Sequence, residues 1–124
     1  MTWLLVFTGG GVGAVARMAV AKLLPATGGG FPWGTFVANF LACTILGMGL
    51  SLVGRQQLAP PQQLLLITGF CGGFSTFSTF SAELLLMLQE GQPFLAFLYL
   101  ATSVLVGVLS IFAVVYFTGG PTIS

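Results

Sequence analysis

The residues best equipped for chemistry lie between Gly69 and Ser81, where the chain reads Gly69-Phe70-Cys71-Gly72-Gly73-Phe74-Ser75-Thr76-Phe77-Ser78-Thr79-Phe80-Ser81. Glycine weakens a helix, and a backbone group freed in hydrocarbon finds no water. A row of glycines and hydroxyls inside an apolar run is therefore tolerated only where protein or a water-filled path covers it. The sequence predicts a helix interrupted near Gly72-Gly73 and places the functional site there. Ser75, Thr76, Ser78, Thr79 and Ser81 supply hydroxyl donors, and a helix restarting after Gly73 points its positive end at the same place. Phe77 and Phe80, three apart, share a helical face. They are either ordinary lipid or core aromatics or ring edges, positive in potential, turned toward a poorly hydrated anion. The interleaved hydroxyls favour the anion.

Isolated polar residues elsewhere extend this pattern. Asn39 follows Thr35 by one turn, near the middle of a second apolar run. A bare amide there is costly unless partnered, and its NH₂ offers two donors, suited to a desolvated anion or a backbone carbonyl. Arg17 is read in two ways: a side chain snorkelling from near a helix end, or a fixed positive charge facing a vestibule and drawing anions in. Glu83 lies one turn beyond Thr79. A carboxylate at that depth is a functional candidate, yet it repels anions if ionised. Tyr99, Ser103, Gly107 and Ser110 fall on one face of the last apolar run, with Thr102 beside it. That stripe is either a helix–helix contact or a wetted track.

Enzymatic constellations are missing. The chain has no His, two Cys and two acids, Glu83 and Glu90, so no nucleophile–base pair or metal-ligand cluster can be assembled. Cys43 and Cys71 read as small buried hydrophobes. Gly9-Gly10-Gly11-Val12-Gly13-Ala14 matches a dinucleotide-binding pattern but lacks the acidic residue about 20 positions on that holds the ribose. Its glycines are better explained by helix packing.

Of 124 residues, 56% are hydrophobic and 4% charged, against roughly 25% charged in soluble domains, and the mean hydropathy is +1.07. This is an integral membrane chain. Four runs reach the ~20 residues a spanning helix needs: about 3–24, 33–53, 63–89 and 94–118, one four-helix transmembrane unit over 1–124. Pro25 to Pro32, Gly54 to Gln63 and Gln89 to Pro93 connect them. Trp3 and Trp33 mark interfaces. Met1-Thr2-Trp3 lacks the basic start of a signal peptide, so the first run is expected to be retained. Lys22, Arg17 and Arg55 are so evenly split that orientation is weakly biased, which predicts insertion both ways. Four helices enclose little, so a pathway needs more than one copy. The spacings Gly9/Gly13 and Gly47/Ser51 permit close helix approach, within a chain or between chains.

Three motifs together resemble the small fluoride channels of the Fluc/CrcB family: Gly13-Ala14-x-x-Arg17, Gly34-Thr35-x-x-x-Asn39, and the run from Gly69 to Ser81 followed by Glu83. Length and four-span layout match as well. The resemblance implies an all-α membrane protein with a broken third helix, assembled as an antiparallel dual-topology homodimer with two fluoride pores. It places Asn39, Phe77, Ser78, Thr79, Phe80, Tyr99, Ser103 and Glu83 along the fluoride pathway and Arg17 at a vestibule. It also implies a sodium ion at the dimer centre, bound by the backbone carbonyls of Gly72 and Ser75 from both subunits; carbonyl oxygens suit a hard cation. Gly107 departs from the pattern where some relatives carry a serine, and Ser110, almost one turn on, is the candidate replacement.

The expected function is passive, fluoride-selective export through a bacterial inner membrane. The alternative is a small dual-topology multidrug exporter driven by protons. That mechanism uses an acid in the first span, where this chain carries Arg17 instead. A structural or assembly subunit is a third possibility, and it predicts no transport by the protein alone.

Overall fold

The computed structural model describes residues 2–24 and 30–118. Within them the chain is all helical: α1 Thr2–Leu23, α2 Trp33–Gly54, α3 Pro60–Gln63, a π-helical stretch Leu64–Cys71, α4 Gly72–Phe74, α5 Phe77–Gln89 and α6 Pro93–Phe117. Four stretches are long and apolar enough to cross a membrane, the third being Pro60–Gln89. Proline opens α3 and α6, where its missing N–H costs nothing. Gly91, with φ 73°, makes the tight turn between α5 and α6. Most of the expected first connector, residues 25–29, lies outside the described residues.

The first span lies backbone-to-backbone against the third. A Cβ at Gly9 would strike the carbonyl of Leu65, one at Gly13 the carbonyl of Phe70, and one at Gly73 the backbone of Gly10. Only glycine permits such an approach, which in lipid gains van der Waals contact that no hydrophobic effect supplies. The Gly9/Gly13 spacing thus serves packing within the chain. So does the second pair: Gly47 faces Val114 and Ile111 of α6, and the hydroxyls of Ser51 and Thr118 are hydrogen-bonded. The π-helical turns, a rare form often found beside functional sites, fall along the α1 seam.

Within the third span the backbone leaves helical dihedrals at two residues. Gly72 keeps helical dihedrals (φ −64°, ψ −36°), and the extended residues are Ser75 (φ −83°, ψ 157°) and Thr76 (φ −150°, ψ 122°). Gly73 is pressed against Gly10 of α1, whereas Gly72 is exposed and meets no neighbour there. The chain opens where hydroxyl side chains tie the neighbouring backbone: Ser75 Oγ adds a second bond, at 2.8 Å, to the Cys71 carbonyl that already accepts the Ser75 N–H, and Thr76 Oγ1 accepts from the Thr79 N–H at 3.2 Å, capping α5.

The seam gives a direct test. Overpacking costs about 1–3 kcal/mol where side chains can yield; at Gly13 the obstacle is backbone, so Gly13→Val is expected to lose at least that much, or to fail to fold. Gly11, whose Cβ would meet nothing within 4 Å, is the control, and Gly11→Ala should be neutral or stabilising. Thermal unfolding in detergent reads both; equal behaviour of the two variants would refute the seam.

Candidate functional site

The interruption at Ser75–Thr76 is tied on both sides by residues from other spans. Asn39 of α2 accepts the Thr76 N–H at its Oδ1 (3.0 Å). Arg17 of α1 donates from Nε to the Gly73 carbonyl (3.2 Å), putting a cation at the end of α4, where helix carbonyls are exposed. Two of the three residues singled out in the first two spans therefore secure the break itself. With Oδ1 committed to Thr76, the NH₂ of Asn39 is the part of the amide left to face a guest.

Beside this junction runs an open groove of about 380 Å³, lined by Asn39, Ser75, Thr76, Phe77, Phe80 and Ser103 together with Cys43, Gly107 and apolar residues of α6. Its polar groups are few and neutral, and its walls are aromatic and aliphatic. The rings of Phe77 and Phe80 lie 6.2 Å apart at 43°, but their surroundings differ: Phe80 is 6% exposed and Phe77 79%. Phe77 stands at the edge of the chain and Phe80 inside it.

Behind Phe80 the structure assembles a cluster that the sequence left scattered. Tyr99, fully buried, donates its hydroxyl to Glu83 Oε1 at 2.8 Å, and Thr35 donates to Oε2 at 2.9 Å. Both oxygens of the carboxylate are thus occupied by neutral donors. Phe80 covers Tyr99 from one side (4.7 Å between centroids), and Phe31 meets it edge-on (5.2 Å, 79°). Sequence reasoning missed Phe31 and the role of Thr35. For Thr35 a signal existed, its place one turn before Asn39; for Phe31, beyond a glycine-rich connector, there was none.

Among the remaining candidates, Ser78 is exposed, with its hydroxyl 3.3 Å from that of Thr76. Thr79 contributes its amide to the cap. The polar stripe of α6 divides. Ser103 and Gly107 line the groove, whereas Ser110 donates back to the Val106 carbonyl at 2.6 Å and lines a separate cleft with Thr44 and Phe40. Ser110, the candidate replacement for a hydroxyl at Gly107, thus borders that other cleft and not the groove. The residue opposite Gly107 is Cys43, whose Sγ lies 3.3 Å from where a Cβ at Gly107 would stand. Among the described residues no three His, Cys, Asp or Glu side chains gather as metal ligands.

Four membrane-crossing helices and a sparsely polar lateral groove define a multi-pass membrane protein built around an interrupted span. Residues 4–115 match the family model described as CrcB-like protein, camphor resistance. Curated relatives agree. "Fluoride-specific ion channel FluC" of Chlorobium phaeobacteroides is 44% identical over 110 residues, covering 88% of this chain and 86% of the relative. The protein of the same name from Phocaeicola vulgatus is 41% identical, covering 87% and 90%, and that from Escherichia fergusonii 43%, covering 89% and 84%. The chain belongs to the CrcB-like family.

The junction yields a stability prediction. Removing the Asn39 acceptor strands the Thr76 N–H, and an unsatisfied buried donor costs roughly 1–3 kcal/mol. Asn39→Leu should lower the unfolding midpoint in detergent accordingly. An unchanged midpoint would mean that the Thr76 amide does not depend on Asn39.

Proposed function

We propose that the protein is a channel, not an enzyme, that lets fluoride leave the cell passively and selectively across the bacterial inner membrane. The observation that carries this reading is the groove at the interrupted span, where the Asn39 amide, the Ser103 hydroxyl and the Phe80 and Phe77 rings converge without a counter-charge. Fluoride holds its hydration shell tightly. A narrow passage must replace that shell with donors, yet bind weakly enough to release the ion. An amide NH₂, hydroxyls and positive ring edges meet both demands. Hydrogen fluoride enters cells as a neutral weak acid and dissociates inside, and a negative-inside potential drives the trapped anion outward. The names of the relatives support the same substrate. The proton-driven drug exporter is disfavoured: α1 carries no acid, and both oxygens of Glu83 are taken by Thr35 and Tyr99.

The working unit in this reading is an antiparallel homodimer of dual topology with two pores. An exposed Phe77 and an exposed Gly72 beside the groove suit coverage by a second copy, and the even spread of Lys22, Arg17 and Arg55 suits insertion in both orientations. Gly72 and Ser75 also fit a structural sodium ion. The Thr76 amide, which would close a helical bond onto the Gly72 carbonyl, goes to Asn39, and the Thr79 amide goes to the Thr76 hydroxyl and not to Ser75. Both carbonyls are thereby released from those helical bonds, and oxygens of this kind are the donor set a hard cation takes. Such an ion would supply positive charge at the centre of the dimer. Arg17, on the neighbouring carbonyl, belongs to the same electrostatic support as well as to a vestibule.

Liposomes holding only the purified protein decide the main question. Fluoride efflux without chloride efflux is expected; no efflux, or chloride released equally fast, overturns the channel. Phe80→Ile should cut fluoride flux about tenfold, equivalent to losing roughly 1.4 kcal/mol of ion stabilisation, while the dimer elutes unchanged. Unaltered flux would remove that ring from the pathway. C-terminal reporters for each compartment should both give signal, and a single orientation would exclude dual topology.

A further inference from the structure

Besides the open groove, the fold holds a small enclosed cell between α2 and α6, bounded chiefly by Phe36, Asn39, Phe40, Cys43, Ser103 and Gly107, with a volume of about 20 Å³. One observation makes this more than a packing defect. The Ser103 hydroxyl oxygen is buried and has no hydrogen-bond partner among the described residues. Its neighbours on the same helix behave differently: Thr102 and Ser110 return their hydroxyls to the carbonyls of Leu98 and Val106. A buried hydroxyl left unpaired is costly, so a hydroxyl that declines its own helix needs a partner elsewhere.

We propose that this cell is a site for one internal water molecule, held by Ser103 and the Asn39 amide, and that Gly107 is the residue that keeps it open. Volume and chemistry agree. A cavity needs at least about 10–15 Å³ of this kind to hold one water, with two to four polar partners. The cell meets the requirement for one molecule and not for two. Ser103 Oγ offers a donor and an acceptor, Asn39 retains its NH₂ after giving Oδ1 to Thr76, and the Cys43 thiol adds a weak third partner. Any side chain at Gly107 would encroach, since its Cβ would sit 3.3 Å from Cys43 Sγ.

The position gives the water a task. Asn39, Cys43, Ser103 and Gly107 border both the cell and the groove, so the molecule sits in the pathway wall and completes the hydrogen bonding of two groups that face the ion. This functional half rests on the channel reading. The site itself does not.

Two measurements separate these. In crystals grown without fluoride, at a resolution that shows ordered water, density is expected within hydrogen-bond distance of Ser103 Oγ and Asn39 Nδ2. No density, or density only after fluoride is added, overturns the water site, whatever the protein transports. In liposomes, Gly107→Ala should lower fluoride flux about tenfold by displacing the water and leaving its partners unpaired. Gly107→Ser should retain most of the flux, because its own hydroxyl can replace the displaced donor. Equal effects of the two variants, or none, would overturn the functional half.

Discussion

Everything in this molecule follows from the cost of an unpaired backbone group in hydrocarbon. Water satisfies such groups at the surface of a soluble protein, and lipid cannot. At Ser75 and Thr76 the chain leaves helical geometry within its third span, and the released groups find protein partners. The Thr76 amide reaches Asn39, the Thr79 amide the Thr76 hydroxyl, and the Gly73 carbonyl Arg17. Because two of these partners come from α1 and α2, the interruption also pins both helices to the third span. The polar residues of the spans are thus structural before they are anything else. Asn39 spends its side-chain oxygen on the fold and lines the groove as well.

That junction can be reached from α1 only because the seam between α1 and the third span has no side chains in it. Gly9, Gly13, Gly69 and Gly73 bring two backbones into direct contact, which carries Arg17, one turn beyond Gly13, up to the Gly73 carbonyl. A longer contact distance would leave the guanidinium short of its acceptor and the end of α4 uncapped. Packing and electrostatics here are one device: the glycines set the distance, and the arginine uses it.

Much of this was legible in the sequence, for identifiable reasons. Four long apolar runs cannot be anything but spans in a chain so poor in charge, and glycines beside hydroxyls mark a span that must break. Propensity treats glycine as the weak point, whereas the extended residues are Ser75 and Thr76, just beyond Gly72-Gly73. Tertiary contact reverses that where a glycine is wedged against another helix, as Gly73 is against Gly10. Long-range pairs were out of reach. Nothing local connects Thr35 to Glu83, 48 residues apart, or sets Phe31 edge-on to Tyr99. The face shared by Ser103 and Ser110 was an approximation of helical spacing. One hydroxyl turns into the groove wall and the other back to its own helix.

Glu83 poses the hardest electrostatic question, since a carboxyl group in an apolar span is costly unless partnered. The geometry answers by division of labour. Thr35 and Tyr99 meet the carboxylate with hydroxyl protons, and the Phe80 ring lies against Tyr99 on the groove side of that cluster. Each hydroxyl spends its proton on Glu83, so these two donors are withdrawn from the groove. What the groove presents is correspondingly weak: an amide, hydroxyls and ring edges. A passage lined by strong donors would trap a small, hard anion, and one lined by none would not admit it. Keeping the hydrogen bonds of the acid behind the ring and the weak donors before it lets a single fold hold a half-buried carboxyl beside an open, neutral groove.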